Sequence, residues 1–519
     1  MISPKKNHSS TRAWLTQQLG SSYRTTAKFG IIMLVPMFFG CTSETEDLVE
    51  QGLETEEVLA ESQEDVIESS EDTPAVTNTF FISPTGNDAN DGLSHETAWK
   101  TSERASEEHV NPGFSIMFQG GATYGVLTLD SNDGGDPNNK IMVSSYGSGT
   151  ATLQGVDVIN TSGLELIGFN VAVPSVAPGE FPRNGINLLN DLQGNTKMED
   201  ISLANLNVSG AYTGIQIEGV NDTSGFSEVL ITDCTVFDCM ESGIQSKGFF
   251  SQSKVGYSHE NIHVSDCHVY NISGWDNAWS HSGNGIVLSD VQYSSISGSE
   301  VHDSGYDNTH CGGNCGIWYW DAKDVLIEHN EVYNIMSQGC DGAAFDLDGG
   351  VVNGTMQYNY SHDNFGAGFQ VGQFEGARDM SNIMVRYNIS DNDANGYSGS
   401  LFVFNMASPN SISGIYFFNN TVIQNENLAF MSYNNWNQNV VQVKNNILYG
   451  GIDAHNKIQF EGNSYENPNL FNYQLDSNSP LIDAGVNLDL DVNVQDYFGN
   501  PHLVGSSQDI GAHEFPETL

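Results

Sequence analysis

Short runs of alternating apolar and polar residues fill most of the chain, and no stretch keeps the 3.6-residue period of an amphipathic helix. One pattern recurs ten times: an alternating run, a fixed polar position, then Val, Ile or a similar residue. Examples are LITDCTV (230–236), LIEHNEV (326–332) and FFNNTV (417–422). The fixed position is Asn170, Asn207, Cys234, Cys267, Ser299, Asn330, Asn359, Asn388, Asn420 and Asn446, at intervals of 26 to 37 residues. Each interval carries a second short run that often follows glycine, as in GIQIEG, GIVLSD, GIWYWD, AAFDLD and GFQVGQ. Units of this length, with two or more short strands and no helix, predict the coils of a β-solenoid. Stacking pairs each strand with its equivalent in the next coil and brings the fixed positions to one corner. A buried asparagine there can bond the coils above and below it through its amide.

This repeat resembles the asparagine ladder of right-handed parallel β-helix proteins of the pectate-lyase-like superfamily, over roughly residues 80–460. The resemblance implies an all-β, right-handed parallel β-helix and leaves the reaction open. Cys234 and Cys267 occupy consecutive ladder positions, where two small buried side chains are favoured over a bridge between coils. The stretch FFISPTGNDANDGLSHETAWKT (80–101) resembles the opening of exported β-helix polysaccharide enzymes, and its Asn and Asp residues read as turn chemistry. SPLIDAG (479–485) and DIGAHEF (509–515) resemble the tail after such solenoids. The β-helix is expected over 78–463, with 464–519 as a segment capping the open edge of the last coil.

Alternation in the post-glycine runs sends one set of residues into the coil, including Ile317 and Tyr319, Phe345 and Leu347, Phe369 and Val371. The outward stripe then contains Lys247, Trp318, Trp320, Asp346, Asp348 and Gln370. Trp318 and Trp320 could form a sugar platform or pack beneath the long loops before them. His281, His310, Asp341, His362 and Asp363 precede these strands and are expected on one rim of the groove. The block 341–371 resembles a segment of exported β-helix carbohydrate-active proteins, which favours an active-site position there. Asp346 is the leading catalytic carboxylate, because a mid-strand outward Asp runs against propensity. Asp341, Asp348 or Asp363 would be the second, although the Asp-Gly-Gly at 348–350 is also turn chemistry. Residues two apart on a strand have Cα atoms ~6.6 Å apart, compatible with the spacing of paired glycosidase carboxylates. His310, His362, Trp318, Trp320, Gln370 and Lys247 are the expected substrate-binding residues.

No cofactor is required by this reading. Asp341, Asp346, Asp348 and Asp363 could nonetheless hold calcium if the coils converge, as a polysaccharide lyase would use it. Lys247, the one basic residue of the stripe, lies three coils from Asp346, which favours hydrolase over lyase unless His310 or His362 is the base. HCGGNC (310–315) has too few ligands for zinc; a disulfide, with Cys340 one coil on as a partner, fits better.

Charge and the N-terminal region complete the reading. Residues 1–28 carry five Lys or Arg and no acid, FGIIMLVPMFFG (29–40) is a short apolar run, and Cys41 follows. That is the layout of a secretory signal, and MFFGC resembles a bacterial lipoprotein cleavage box, which implies a lipid on Cys41. Residues 42–77 hold thirteen acids and no Lys or Arg, the composition of a solvated tether. Residues 78–519 carry 52 acids against 12 bases, which excludes nucleic acid as a partner. The expected protein is a monomeric, lipid-anchored envelope protein, placed at the outer membrane with its face undecided, that degrades a polysaccharide. A calcium-assisted lyase and a non-catalytic glycan-binding solenoid are the alternatives.

Overall fold

Parallel pairing between equivalent strands, one coil after another, winds the chain into a β-solenoid of about eleven turns with almost no helix. The computed structural model describes residues 78–276 and 281–516. Cys41, the apolar run before it and the acidic tether lie outside the described residues. Among the described residues no helix is long and apolar enough to cross a membrane.

Three ladders of strands make the walls. One contains Thr213–Gly219, Ser242–Lys247, the start of Cys315–Glu328, Ala343–Leu347, Phe369–Gln373 and Leu401–Asn405. A second contains Gly225–Thr232, His259–Ser265 and Val352–Gln357. The third is built from short strands such as His268–Tyr270, Glu300–Ser304, Glu331–Ile335 and Tyr360–His362. One continuous apolar cluster, from Phe80 to Ile458, fills the coil interior. Its alternation follows the expected register: Ile317, Tyr319, Phe345, Leu347, Phe369 and Val371 are all fully buried inside.

The corner between the second and third ladders turns on a residue with left-handed backbone. Asn205, Asp233, Asp266, Gly298, His329, Tyr358, Tyr387, Asn419 and Asn445 all have φ between +49° and +61°, a region that Gly, Asn and Asp enter most readily. The residue after it enters the ladder. The amides of Asn330, Asn359, Asn388, Asn420 and Asn446 each donate to the next asparagine Oδ1 at 2.9–3.0 Å, ending on Asn463. Each also donates to a carbonyl of the preceding coil, for example Asn388 to Met356. The ladder therefore saturates buried backbone groups that no strand pairing reaches.

Asn170 and Asn207 do not belong to it. They pair with each other at 3.0 Å on the outer side, and the slot itself is filled by buried Phe169 and Leu206. The slot always lies two residues before the next inward side chain, Val171 or Val208 here and Val332 after Asn330, so the asparagines of these two coils sit one position too late. Cys234 and Cys267 fill their slots as buried free thiols.

The C-terminal segment does more than meet the last coil. Tyr473 donates to Asp391 at 2.7 Å, Asn419 donates to the Asp509 carbonyl, and the Ala512 amide donates to Thr421. The Gln495 amide reaches Tyr358 Oη. The segment thus runs back along the flank of several coils, on the side of the third ladder.

Candidate functional site

Asp346 stands on the outer face of the first ladder, in register with Trp318 on the preceding coil and Gln370 on the following one. A second apolar cluster covers this face, separate from the coil interior. It includes Val287, Cys315, Trp318 and Phe402, with Trp320, Tyr397, Phe404, Met431 and Tyr433 partly buried against it. The strand register is as expected, but the acid is only 2 % exposed. Long side chains of the flanking coils and of the adjoining loop close over it, a consequence of stacking that alternation within one strand does not reveal.

Three carboxylates share this spot. Gln370 joins two of them, its Nε2 donating to Asp346 Oδ2 at 2.9 Å and to Asp341 Oδ1 at 3.4 Å. The Cys315 thiol lies 3.9 Å from Asp346 Oδ2. Asp346 Oδ1 and Asp348 Oδ1 are buried without a partner. Burial raises all three acids, and their mutual repulsion adds to it for Asp346 and Asp348. Asp341 rises to about 6 and Asp348 to about 7, while Asp346 is held well above the ordinary carboxylate range. Asp341 and Asp348 are half-buried residues beside the covered Asp346. Two neighbouring carboxyls that ionise near neutrality can divide into one proton donor and one anion.

Asp348 is placed by the end of its strand, where its amide donates to the Tyr319 carbonyl. Gly372 lies beside it on the next coil; a Cβ there would come within 2.7 Å of Asp348 Oδ1. Asp341 sits in the loop before the strand with φ +65°. The Cys311–Cys340 disulfide fixes that loop immediately before Asp341. Replacing Cys340 with Ser is expected to cost about 3.6 kcal/mol for a closed loop of this length and to reduce activity by freeing Asp341. Urea unfolding and a rate assay check both. His310 lies near Asp341, and desolvation followed by the neighbouring His281 lowers its pKa.

The other expected residues divide by location. Trp318 is buried, with its Nε1 donating to Asn284 Oδ1 at 3.1 Å, so it supports the site from below rather than offering a free ring face. Trp320 is half-buried beside Phe250. Lys247 pairs with Glu218 at 3.4 Å, away from the acids. His362 and Asp363 are not at the groove. His362 belongs to the third ladder, stacked on Tyr333 at 4.8 Å and bonded to Asp363 and Glu331. Asp363 is an exposed corner residue with φ +58° that accepts from Asn392. Both follow Asn359 within four residues, so they are still on the strand leaving the ladder corner and not on the loop entering the first ladder. A calcium cluster that includes Asp363 is therefore not assembled. Tyr397, Met431 and Tyr433 were not anticipated; Tyr397 comes from the loop before Leu401–Asn405, and strand register sets Met431 and Tyr433 opposite Phe402 and Phe404.

No family model matches the chain. A stretch of 182 residues is 32% identical to lacto-N-biosidase of Bifidobacterium longum subsp. longum, covering 33% of this chain. The chain spans 10% of the length of that curated relative. The fold superposes on the crystal structure of GH136 lacto-N-biosidase from Eubacterium ramulus with a TM-score of 0.52 and 17% identity, over 74% of this chain and 68% of that one. Its selenomethionine derivative gives 0.51 over the same shares. At that identity the likeness is one of fold: the parallel β-helix expected from the repeat is the fold of this chain.

Proposed function

We propose that the protein is a glycoside hydrolase that binds a glycan along the outer face of the first ladder and cleaves it with Asp341 and Asp348. The observation that carries this reading is the pair of half-buried carboxyls raised to about 6 and about 7 beside a covered third acid. Partly exposed Trp320 on one side and Tyr397, Phe404 and Tyr433 on the other supply ring surface for sugar C–H faces. The segment similar to a lacto-N-biosidase supports hydrolysis over elimination. So does the position of Lys247, paired to Glu218 away from the acids.

One carboxyl gives its proton to the glycosidic oxygen as the bond to the anomeric carbon breaks. The other, ionised, either attacks that carbon or takes a proton from the attacking water. The two acids interact, so the pair titrates jointly and the roles are assigned to the pair. Gln370 orients Asp341 and Asp346 together, and the charges of Asp348 and Asp341 help keep the covered Asp346 protonated.

The pH profile follows from the signs. Below about pH 6 the anion of the pair is lost, and above about pH 7 the proton of the donor is lost. The rate is expected to be bell-shaped with its maximum between these values; a rate rising steadily to pH 9 would contradict the assignment. The substrate test is a glycan panel that begins with lacto-N-biosyl oligosaccharides, as the relative's name suggests. New reducing ends without unsaturated product support the proposal, and unsaturated product alone removes it. We further propose export and lipid anchoring through Cys41, supported by the apolar run and the cysteine after it. Loss of membrane-fraction protein in Cys41→Ala is the corresponding result.

A further inference from the structure

We propose that His268, Glu300 and His302, on the outer face of the third ladder, form a binding site for one divalent transition-metal ion of the zinc class. Each offers one ligand atom, and the three atoms lie within 4.8 Å of one another. The site is built by register. His268 faces Glu300 on the next coil, and Tyr270 faces His302, so the two histidines meet on the diagonal. Their Nε2 atoms are 2.8 Å apart. Two imidazoles on a tetrahedral ion at 2.0–2.1 Å would stand roughly 3.3 Å apart, so the side chains need open by only about half an ångström.

The surroundings pre-set this arrangement. His302 is held between two parallel rings, Tyr270 at 5.3 Å and Tyr333 at 4.7 Å, both within 5° of its plane. Its Nδ1 lies 2.8 Å from Asp303 Oδ2, and Asp303 is itself fixed by Asn334 at 3.1 Å. A carboxylate on Nδ1 places the proton there and leaves the Nε2 lone pair for a metal, the outer partner that ligating histidines commonly have. Tyr333 donates to Glu300 Oε1 at 2.8 Å and orients that carboxylate, leaving Oε2 unengaged by that bond. Glu331 lies next to Glu300 along the ladder and adds negative charge. A His₂Glu set of nitrogen and oxygen donors suits zinc better than calcium or magnesium, which favour oxygen alone. The three ligands come from two consecutive coils, so the ion would join them on a ladder remote from the acids.

The test is calorimetric titration of zinc chloride into the full chelator-treated protein, with far-UV circular dichroism to confirm the fold of each variant. The expected result is a strong site of unit stoichiometry that is weakened at least tenfold in His302→Gln and in Glu300→Gln. Asp303→Asn, which leaves every ligand in place, should weaken it by about 10-fold or more. Bound zinc should also raise the melting temperature of the wild type and not that of Glu300→Gln. The free cysteines of the described residues are all buried, which removes them as competing ligands in the folded protein. Absence of binding in the micromolar range, or unchanged affinity in both His302→Gln and Glu300→Gln, would overturn the proposal.

Discussion

Asp341→Asn and Asp348→Asn are each expected to lower kcat/KM by about 10²–10⁴-fold, the range that a positioned acid or base contributes. The loss should fall mainly on kcat, because the protons these groups hold or accept move in the transition state. The two substitutions should not be additive, since either one leaves the partner without its complementary role. Asp346→Asn is a separate case. This acid is covered and engaged by Gln370 and the Cys315 thiol, so it acts on the pair through charge and position rather than by touching substrate. Its removal should lower the rate less than loss of Asp341 or Asp348, because Asp346 acts through Gln370, which it shares with Asp341. An Asp348→Asn variant with unaltered kcat/KM would refute the pair.

The second large effect concerns the ladder. Asn388→Ala removes the acceptor of the Asn359 amide and backbone N–H, and removes the donor to the Met356 carbonyl and to Asn420. All of these groups are buried. An unsatisfied buried group costs about 1–3 kcal/mol, so a loss of roughly 2–4 kcal/mol is expected, read as a fall in the urea midpoint. Asn170→Ala removes a bond on the outer surface and should change stability by less than about 0.5 kcal/mol. Equal effects at the two positions would contradict the assignment of Phe169 and Leu206 to the ladder slot.

The fold was legible because a solenoid repeats one local solution in every coil. Alternation, the left-handed corner and the slot after it recur often enough to be read from the pattern alone. Asn170 and Asn207 misled because an asparagine beside the slot looks like one inside it; the distance to the next inward valine is the better guide. The outward position of Asp346 was legible for a different reason. A mid-strand aspartate on an outward position conflicts with propensity, and such conflicts gather at functional sites. His362 and Asp363 were misplaced because closeness in sequence to a groove strand was taken as closeness in space. The coil turns between them: His362 is on the third ladder and Phe369 on the first. The covering of Asp346 and Trp318 depends on side chains from other coils, which no single segment encodes.

The central claim is that water adds across a glycosidic bond in this groove. Digestion of the most reactive oligosaccharide in ¹⁸O-labelled water, followed by mass spectrometry of the fragments, tests it most directly. One heavy oxygen in the fragment pair for every bond cut is the predicted result, with no label transferred when Asp341 and Asp348 are both Asn. Fragments without the label and together lighter by one water would mean elimination, and would contradict the proposed hydrolysis.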